Sequence, residues 1–509
     1  MSRDYADFQD FYTKFGLTSA ANNFSAGADI TYCLMRNLMQ MYRDKVGRKP
    51  FDNTVLIVDE VDALIVDGDS YSCYVNSDSM MGDLKGLFDA LAAGGGSAPA
   101  FRSHVMYQKA CNAYQSAQAR LAKGEGQRNG YVVHGESYKS VDEKGNPEDY
   151  YFLWQEYLSY IKFRKEPKAQ TVFFVQSPAH MLRQYGAILG LSGSLGCPAE
   201  KDFMAATFGA KSFDAPPFLN TCRGAQKMQP TLLGDSVDVH AGRAHVSAVV
   251  AAAMRARSSV PVVVLCEGVQ AARAMHSAFA ATERTRGAVQ LLLQNDENGQ
   301  PMNWSSIVEK ATMPLGSGRD KVWPITVSDL FGGRGQDYRV ADPSVEDAGG
   351  LLVVASFIPD SEREWVQWKG RTARNDRAGQ YAVILERGAD PISGDGAMLQ
   401  KFSKEPGSVA HRVGLIDELL ARRDKACAEK LTKRTSEIKV GMRMNELCDL
   451  FWTQQGGVSS AWPSGSAQVK LRDFLNRDDM SFDAIAAFAV SVDLAPSVEA
   501  YKSSSAYAR

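Results

Sequence analysis

Short runs of apolar, mostly β-branched residues recur along this chain and constrain its fold more than any other feature. They include residues 54–58 (TVLIV), 171–175 (TVFFV), 261–265 (PVVVL), 325–327 (ITV), 351–355 (LLVVA) and 381–385 (YAVIL). Apolar runs without polar alternation suit strands covered on both faces, which is how parallel sheets are built. The segments between them, such as 248–257 and 269–282, carry helical spacing. Strand and helix in alternation predict an α/β fold with parallel sheets.

The strands fall into two groups, before about residue 210 and after about 235, separated by a proline-bearing stretch at 214–234 that reads as a linker. Residues 92–100 (AAGGGSAPA) read by composition as a flexible linker within the first group. Residues 148–160 (EDYYFLWQEYLSY) are strongly aromatic, as a helix packed into the fold or as a surface contacting peptide or bases. From Gly407 strand signals fade. Ile416, Leu419, Leu420, Cys427 and Leu431 then recur at roughly helical spacing, predicting a helical C-terminal region. A length of 509 residues fits about three domains at ~150 residues each.

A formal net charge of −2 argues against a dominant whole-protein attraction to nucleic acid. No apolar run reaches the ~18–20 residues of a bilayer-spanning helix. Eight cysteines without a C-x-x-C pair read as buried thiols in a reducing compartment rather than a disulfide framework. The first fifteen residues have neither the basic and apolar regions of a signal peptide nor the acid-free composition of a transit peptide.

Three segments carry the chemistry. Residues 55–62 (VLIVDEVD) end an apolar strand in Asp59 and Glu60, at the carboxyl edge where α/β sheets hold their ligands. One acid can hold Mg²⁺ and the next polarise an attacking water; the alternative is a strand followed by an acidic helix cap. Residues 328–337 (SDLFGGRGQD) follow the strand ITV, with Gly333 and Gly335 allowing close backbone approach, Arg334 supplying charge and Asp337 able to accept from a ribose hydroxyl. A structural turn accounts for this loop as well. Residues 367–379 (QWKGRTARNDRAG) place Arg371 and Arg374 three apart on one helical face, beside Gln367. Paired guanidiniums can stabilise charge during phosphoryl transfer.

The order DEVD, GLSGS at 190–194, SDLFGGRGQD, GGLLVV at 349–354 and QWKGRTAR resembles the motif order of SecA-type preprotein translocase ATPases. YTKFGLT at 12–18 with ADITY at 28–32 resembles the family's FLGLT…ADITY, and PVVVLCEG resembles the strand opening its second lobe. The resemblance covers roughly residues 8–67 and 170–390. It implies two RecA-like lobes, the first from 1–67 and 170–213 and the second from 235–406, with a divergent insertion at 68–169 in the clamp position and a helical region at 407–509. It implies ATP and Mg²⁺ as cofactors, with Asp59 as the metal ligand and Glu60 as general base. Arg371 and Arg374 would be arginine fingers, and Gly333, Arg334, Gly335, Asp337 and Gln367 would line the nucleotide. The implied partners are an unfolded preprotein and a SecY-type channel, with no nucleic acid and with room for a homodimer. The implied location is the cytoplasm or plastid stroma, peripheral to a membrane. No zinc is expected, because no histidine follows His411 and the last cysteine is Cys448.

The chain departs from the family at several points. Ala373 stands where a glycine precedes the second arginine, Gln336 replaces the threonine of GRGTD, and Cys33-Leu34-Met35 follows ADITY in place of Gly-Thr-Asn. The RTPLIISG-like stretch after DEVD is absent. No G-x-x-x-x-G-K-[ST] phosphate loop occurs in the sequence, whose backbone amides and lysine would cradle the β- and γ-phosphates. The family carries that loop upstream of its FLGLT segment, so the expectation is a chain that starts after it, with Met1 not the true beginning and hydrolysis impaired. Two other readings stand beside the motor: a non-hydrolysing SecA-like scaffold, and a two-lobed nucleic-acid helicase.

Overall fold

The computed structural model describes residues 9, 12–21, 28–46, 54–124, 130–141, 148, 151–194, 197–213, 237–282, 287–297, 300–372, 378–389, 392, 415–458, 461–477 and 480–504. The chain divides into two compact units. One comprises Met1–Leu84, Lys168–Ser192 and Thr432–Arg509; the other comprises Lys85–Pro167 and Gly193–Leu431. Strands are numbered in chain order. The first eight are β1 (Ser19–Ala21), β2 (Ile30–Tyr32), β3 (Val55–Val58), β4 (Ser72–Ser77), β5 (Tyr131–His134), β6 (Ser137–Ser140), β7 (Gln170–Gln176) and β8 (Ala187–Gly190). The rest are β9 (Val237–His240), β10 (Val262–Leu265), β11 (Val289–Leu292), β12 (Ile325–Ser328), β13 (Leu352–Ala355) and β14 (Gln380–Glu386).

The last six strands form one parallel sheet, ordered β11-β12-β10-β13-β14-β9. Its apolar runs do what two-sided burial requires. Val262 and Val264 of β10 enter one core with Val249, Phe279 and Trp323, while Val263 and Leu265 enter the opposite core with Trp365, Trp368 and Leu419. The helices Arg243–Ala256 and Val269–Thr282 supply the first core, and Glu362–Lys369 and the start of Leu415–Gln454 the second. From β10 the chain runs out to β11, returns through β12, and crosses to β13 and β14. That reversal beside β10 is a topological switch point, and open α/β sheets take ligands at the carboxyl ends of the strands at such points.

The same unit contains the hairpin β5–β6 and the helices Tyr107–Lys123 and Leu153–Phe163. The aromatic stretch is a packed helix. Trp154, Tyr157 and Tyr160 are buried, and Tyr157 meets Phe88 and Tyr114 edge-on at 5.1 and 5.5 Å. Residues 92–100 are not the flexible linker that their composition suggests. The helix Leu84–Ala93 ends in a glycine turn closed by Gly96 N–H donating to the Leu91 carbonyl at 2.8 Å. Gly96, at φ 96°, lies so close to the Tyr114 ring that a Cβ would come within 2.7 Å of it. The glycines are a tight packing device, which composition does not distinguish from slack chain.

In the other unit, the described strands pair two by two: β1 with β2 and β3 with β8 in parallel, β4 with β7 antiparallel. The run TVFFV therefore sits in an antiparallel ladder and not in the parallel sheet its apolar continuity suggests. Its partner β4 comes from the first residues of the 68–169 segment. Both faces of β7 are nonetheless filled, because Phe173, Phe174 and Val175 pack into a helical core with Phe451, Trp452, Leu471, Phe474 and Ile485. Trp452 donates its indole N–H to the Phe173 carbonyl at 3.1 Å, and Trp462 donates to Thr171 Oγ1 at 2.8 Å. The C-terminal region is helical as expected, with Leu415–Gln454 running 40 residues, then Ser466–Leu475, Phe482–Ser491 and Val498–Ser504. Cys197, Cys266 and Cys448 are buried, whereas Cys33, Cys111 and Cys427 are half-buried and Cys73 is exposed. The 214–234 linker lies outside the described residues. Among those that are described, no helix is long and apolar enough to cross a membrane.

Phe279, fully buried in the helix Val269–Thr282, tests the two-sided sheet. Phe279→Ala should lower unfolding free energy by about 3–5 kcal/mol, read as a shift in the urea midpoint of the transition that reports on residues 237–386.

Candidate functional site

The segments SDLFGGRGQD and QWKGR meet, together with Ser194, in the unit that holds the large sheet. After β12, Asp329 caps the short helix Leu330–Gly333 by accepting from Phe331 N–H at 3.0 Å. Gly332 and Gly333 are obligatory there: a Cβ on Gly332 would lie 2.3 Å from Ser328 Oγ, and one on Gly333 2.6 Å from Trp368 Nε1. The loop then turns through Gly335 at φ 71°, a left-handed conformation suited to glycine, and buries Gln336. Tyr338 is fully buried under it, donating its hydroxyl to the Gly332 carbonyl at 3.1 Å. Burial holds that phenol well above its ordinary range, with the Arg371 guanidinium pulling weakly the other way.

The helix Glu362–Lys369 begins on Ser361, whose hydroxyl accepts from Glu364 N–H at 3.3 Å. It is fixed by a buried ion pair, Arg363 Nε to Glu200 Oε1 at 3.3 Å, onto the helix Pro198–Phe208. Gln367 donates Nε2 to Ser194 Oγ at 2.8 Å. One turn on, Arg371 donates Nε to the Gln367 carbonyl at 3.1 Å and Nη1 to the Gln336 carbonyl at 2.6 Å. The result is one buried polar relay: Ser194 of GLSGS, Gln367 and Arg371 of QWKGR, and Gln336 of GRGQD. Arg371 is almost fully buried and braces the glycine loop against its own helix. Arg374 lies outside the described residues.

Other predicted residues sit differently. Asp337 is exposed and ion-paired with Arg339 at 2.5 Å, and Arg334 is half-buried. Gly335 is exposed at the turn. Cys266 directly follows β10 and packs into the core beneath the sheet, where burial pushes its thiol up to about 12.

Asp59 and Glu60 belong to the other unit. β3 delivers them at its carboxyl end, with Asp59 exposed and Glu60 half-buried at φ 49°, an uncommon conformation for a side-chain-bearing residue. Asp59 Oδ1 accepts from Glu60 N–H at 2.9 Å, which fixes one carboxylate oxygen. GLSGS starts beside them. Leu191 N–H donates to the Val58 carbonyl at 2.8 Å, and Val61 N–H donates to the Leu191 carbonyl at 3.0 Å. Gly190 is required at this crossing, since a Cβ would come within 2.7 Å of Val61. Among the described residues no group of three or more His, Cys, Asp or Glu side chains could hold a metal ion. A lone exposed carboxylate still suits Mg²⁺, which binds one or two carboxylates and takes its other ligands from waters and phosphates.

Sequence reasoning missed Ser194, Gln336 and Tyr338 as structural partners of the arginine segment. Gln336 stood out only as a departure from a motif, and its contribution is a backbone carbonyl, which no side-chain pattern reports.

No family model matches this chain, and no curated protein matches it. Among solved structures it is similar to S. tokodaii Xpd4, with 10% sequence identity and a TM-score of 0.33 over 75% of this chain and 84% of that one.

Arg371→Ala strands two buried carbonyls, and should destabilise this unit by about 1.5–3 kcal/mol in urea unfolding, with Arg371→Lys recovering part of the loss. Asp59→Ala, at an exposed position, should stay within about 0.5 kcal/mol of the parent.

Proposed function

We propose that this chain is a SecA-like motor subunit that binds ATP and moves unfolded polypeptide across a membrane through a SecY-type channel. One observation supports this reading above the rest. Segments far apart in sequence, GLSGS, GRGQD and QWKGR, are joined by the Ser194–Gln367–Arg371–Gln336 hydrogen bonds on a parallel α/β unit. Such a convergence is required of a nucleotide-responsive lobe and is not required of three unrelated turns.

The residues fit the cofactors in part. Asp59 would hold Mg²⁺, whose contribution is to neutralise charge on transferring phosphate. Glu60, whose backbone N–H holds Asp59 Oδ1, would orient and deprotonate the attacking water. Arg371 sets the glycine loop, which leaves Arg374 as the guanidinium for phosphate charge, with Gly333, Arg334, Gly335, Asp337 and Gln367 on the nucleotide side. No glycine-lysine phosphate loop is encoded in these residues, so they provide no phosphate cradle of that type.

That same observation favours a second reading, a SecA-like scaffold that binds polypeptide without hydrolysing ATP. Phosphate-release assays separate the two. The 509-residue chain should show negligible ATP turnover, unchanged by Glu60→Gln; micromolar ATP binding with turnover would overturn the assignment of the missing cradle. Unfolded polypeptide, and not single-stranded nucleic acid, should bind in fluorescence titrations. Salt-sensitive binding of single-stranded DNA in place of polypeptide would favour a helicase.

A further inference from the structure

The strand β7 gives one edge to β4 and the other to helical side chains. Among the described residues it pairs with β4 alone. Its register with β4 shifts between Tyr74 and Val75, which makes Phe173 an extra residue in the ladder. Along the far edge, alternate residues meet one side chain each from the helix Leu415–Gln454. Ser177 N–H, just past the strand, donates to Asn445 Oδ1 at 2.9 Å, Val175 N–H donates to Cys448 Sγ at 3.4 Å, and the Phe173 carbonyl accepts from Trp452 Nε1. Asn476, which caps the helix Ser466–Leu475, then takes both main-chain groups of Val172. Its Oδ1 accepts from the N–H at 3.1 Å, and its Nδ2 donates to the carbonyl at 3.3 Å. A carboxamide placed that way repeats the pair of bonds that a residue of a neighbouring strand would make. Asn445, Cys448 and Trp452 are fully buried and lie three and four residues apart on one helical face. They span roughly 10 Å of helix, against roughly 13 Å of strand from Phe173 to Ser177. The helix stands where a third strand belongs, and supplies by side chain the bonds that strand would supply by main chain.

What it covers is a strand suited to pairing with itself. QTVFFVQ is uncharged, rich in β-branched and aromatic residues and free of proline, the composition of segments that add to one another at an open edge. Its centre, VFFV at 172–175, reads the same in both directions. Two copies laid antiparallel about a two-fold axis between Phe173 and Phe174 set Val172 of each against Val175 of the other. Those two residues are among the ones whose main-chain groups point to the covered edge. We infer that Asn445, Cys448, Trp452 and Asn476 form an intramolecular cover over a dimerisation strand, and that β7, once uncovered, pairs with the β7 of a second copy of this chain. The product is a four-stranded antiparallel sheet, β4 and β7 of one copy followed by β7 and β4 of the other. None of the covering residues is among those assigned to ATP or Mg²⁺, so the cover and the motor reading stand or fall separately.

The test uses the full chain and two single variants. Asn476→Leu keeps the side-chain volume and removes both bonds to Val172, and Trp452→Phe keeps a ring and removes the bond to Phe173. Sedimentation velocity should show self-association at least about tenfold tighter in Asn476→Leu than in the parent chain, with a smaller gain in Trp452→Phe. Amide exchange at Val172 in Asn476→Leu should be faster than in the parent at about 1 μM chain, and slow again at about 100 μM as the second copy takes over the bond. Exchange at 262–265 should not depend on concentration. Variants that sediment like the parent overturn the inference. So does association that leaves Val172 exchanging fast at the higher concentration, since it then runs through another surface. Circular dichroism checks each fold, and where one variant unfolds the other carries the same two readings. Unfolding of both also overturns the inference, because the bonds then belong to the core and cover nothing.

Discussion

A parallel strand cannot leave either face in water cheaply, because its connections return as helices and its side chains alternate across the sheet. That constraint organises this molecule. Where residues 237–386 satisfy it, successive residues of β10 enter two different cores, and the helices on either side are tied to the sheet by large buried rings such as Phe279, Trp323 and Trp368. The carboxyl edge of that sheet is thereby held still, and a loop as glycine-rich as GGRG can take one conformation. Gly332 and Gly333 are pressed between Ser328 and Trp368 with no room for a methyl group.

Polar groups at this edge follow from the same rigidity. A guanidinium this deeply buried persists only where acceptors are fixed, and Arg371 finds two in the carbonyls of Gln367 and Gln336. The helix that carries it is anchored in turn by Arg363 to Glu200, a pair buried on both sides. A buried ion pair contributes little net stability but makes misplacement costly, because either partner left alone is an unpaired charge. Arg363 and Gln367 thus fix one helix at two successive turns, and Arg371 passes that placement to the glycine loop.

The α/β class, the helices at 248–257 and 269–282, and the helical C-terminal region were legible from periodicity, since periodicity records which faces are buried. Strand direction was not. TVFFV has the same apolar continuity as PVVVL, yet one run lies antiparallel to Ser72–Ser77 and fills both faces from a helical core. Apolar continuity reports burial on two sides, whatever supplies it. The AAGGGSAPA stretch failed for a related reason: glycine permits both slack chain and a turn pressed on an aromatic ring, and Tyr114 decides between them from fourteen residues beyond the last of the three glycines' neighbours in the helix that follows. At the candidate site, spacing placed Arg371 on a helical surface but could not name its partner, a main-chain oxygen 35 residues upstream.

The β3–β8 pair brings these threads together. It has the sequence of a buried parallel strand, VLIV, and the acids expected at a ligand-bearing edge, but it has the exposure of a surface. Local propensity and global packing disagree there, and disagreement between levels marks either strain or function. Backbone strain at this pair is confined to Glu60, at φ 49° just past the strand. The strands themselves pair in a register without a shift from Val55 to Val58, and Leu191 extends the hydrogen bonding past the strand end. Among the described residues the pair is regular in register and leaves Val55, Ile57, Leu189 and Leu191 exposed, so here apolar continuity reports strand pairing without two-sided burial.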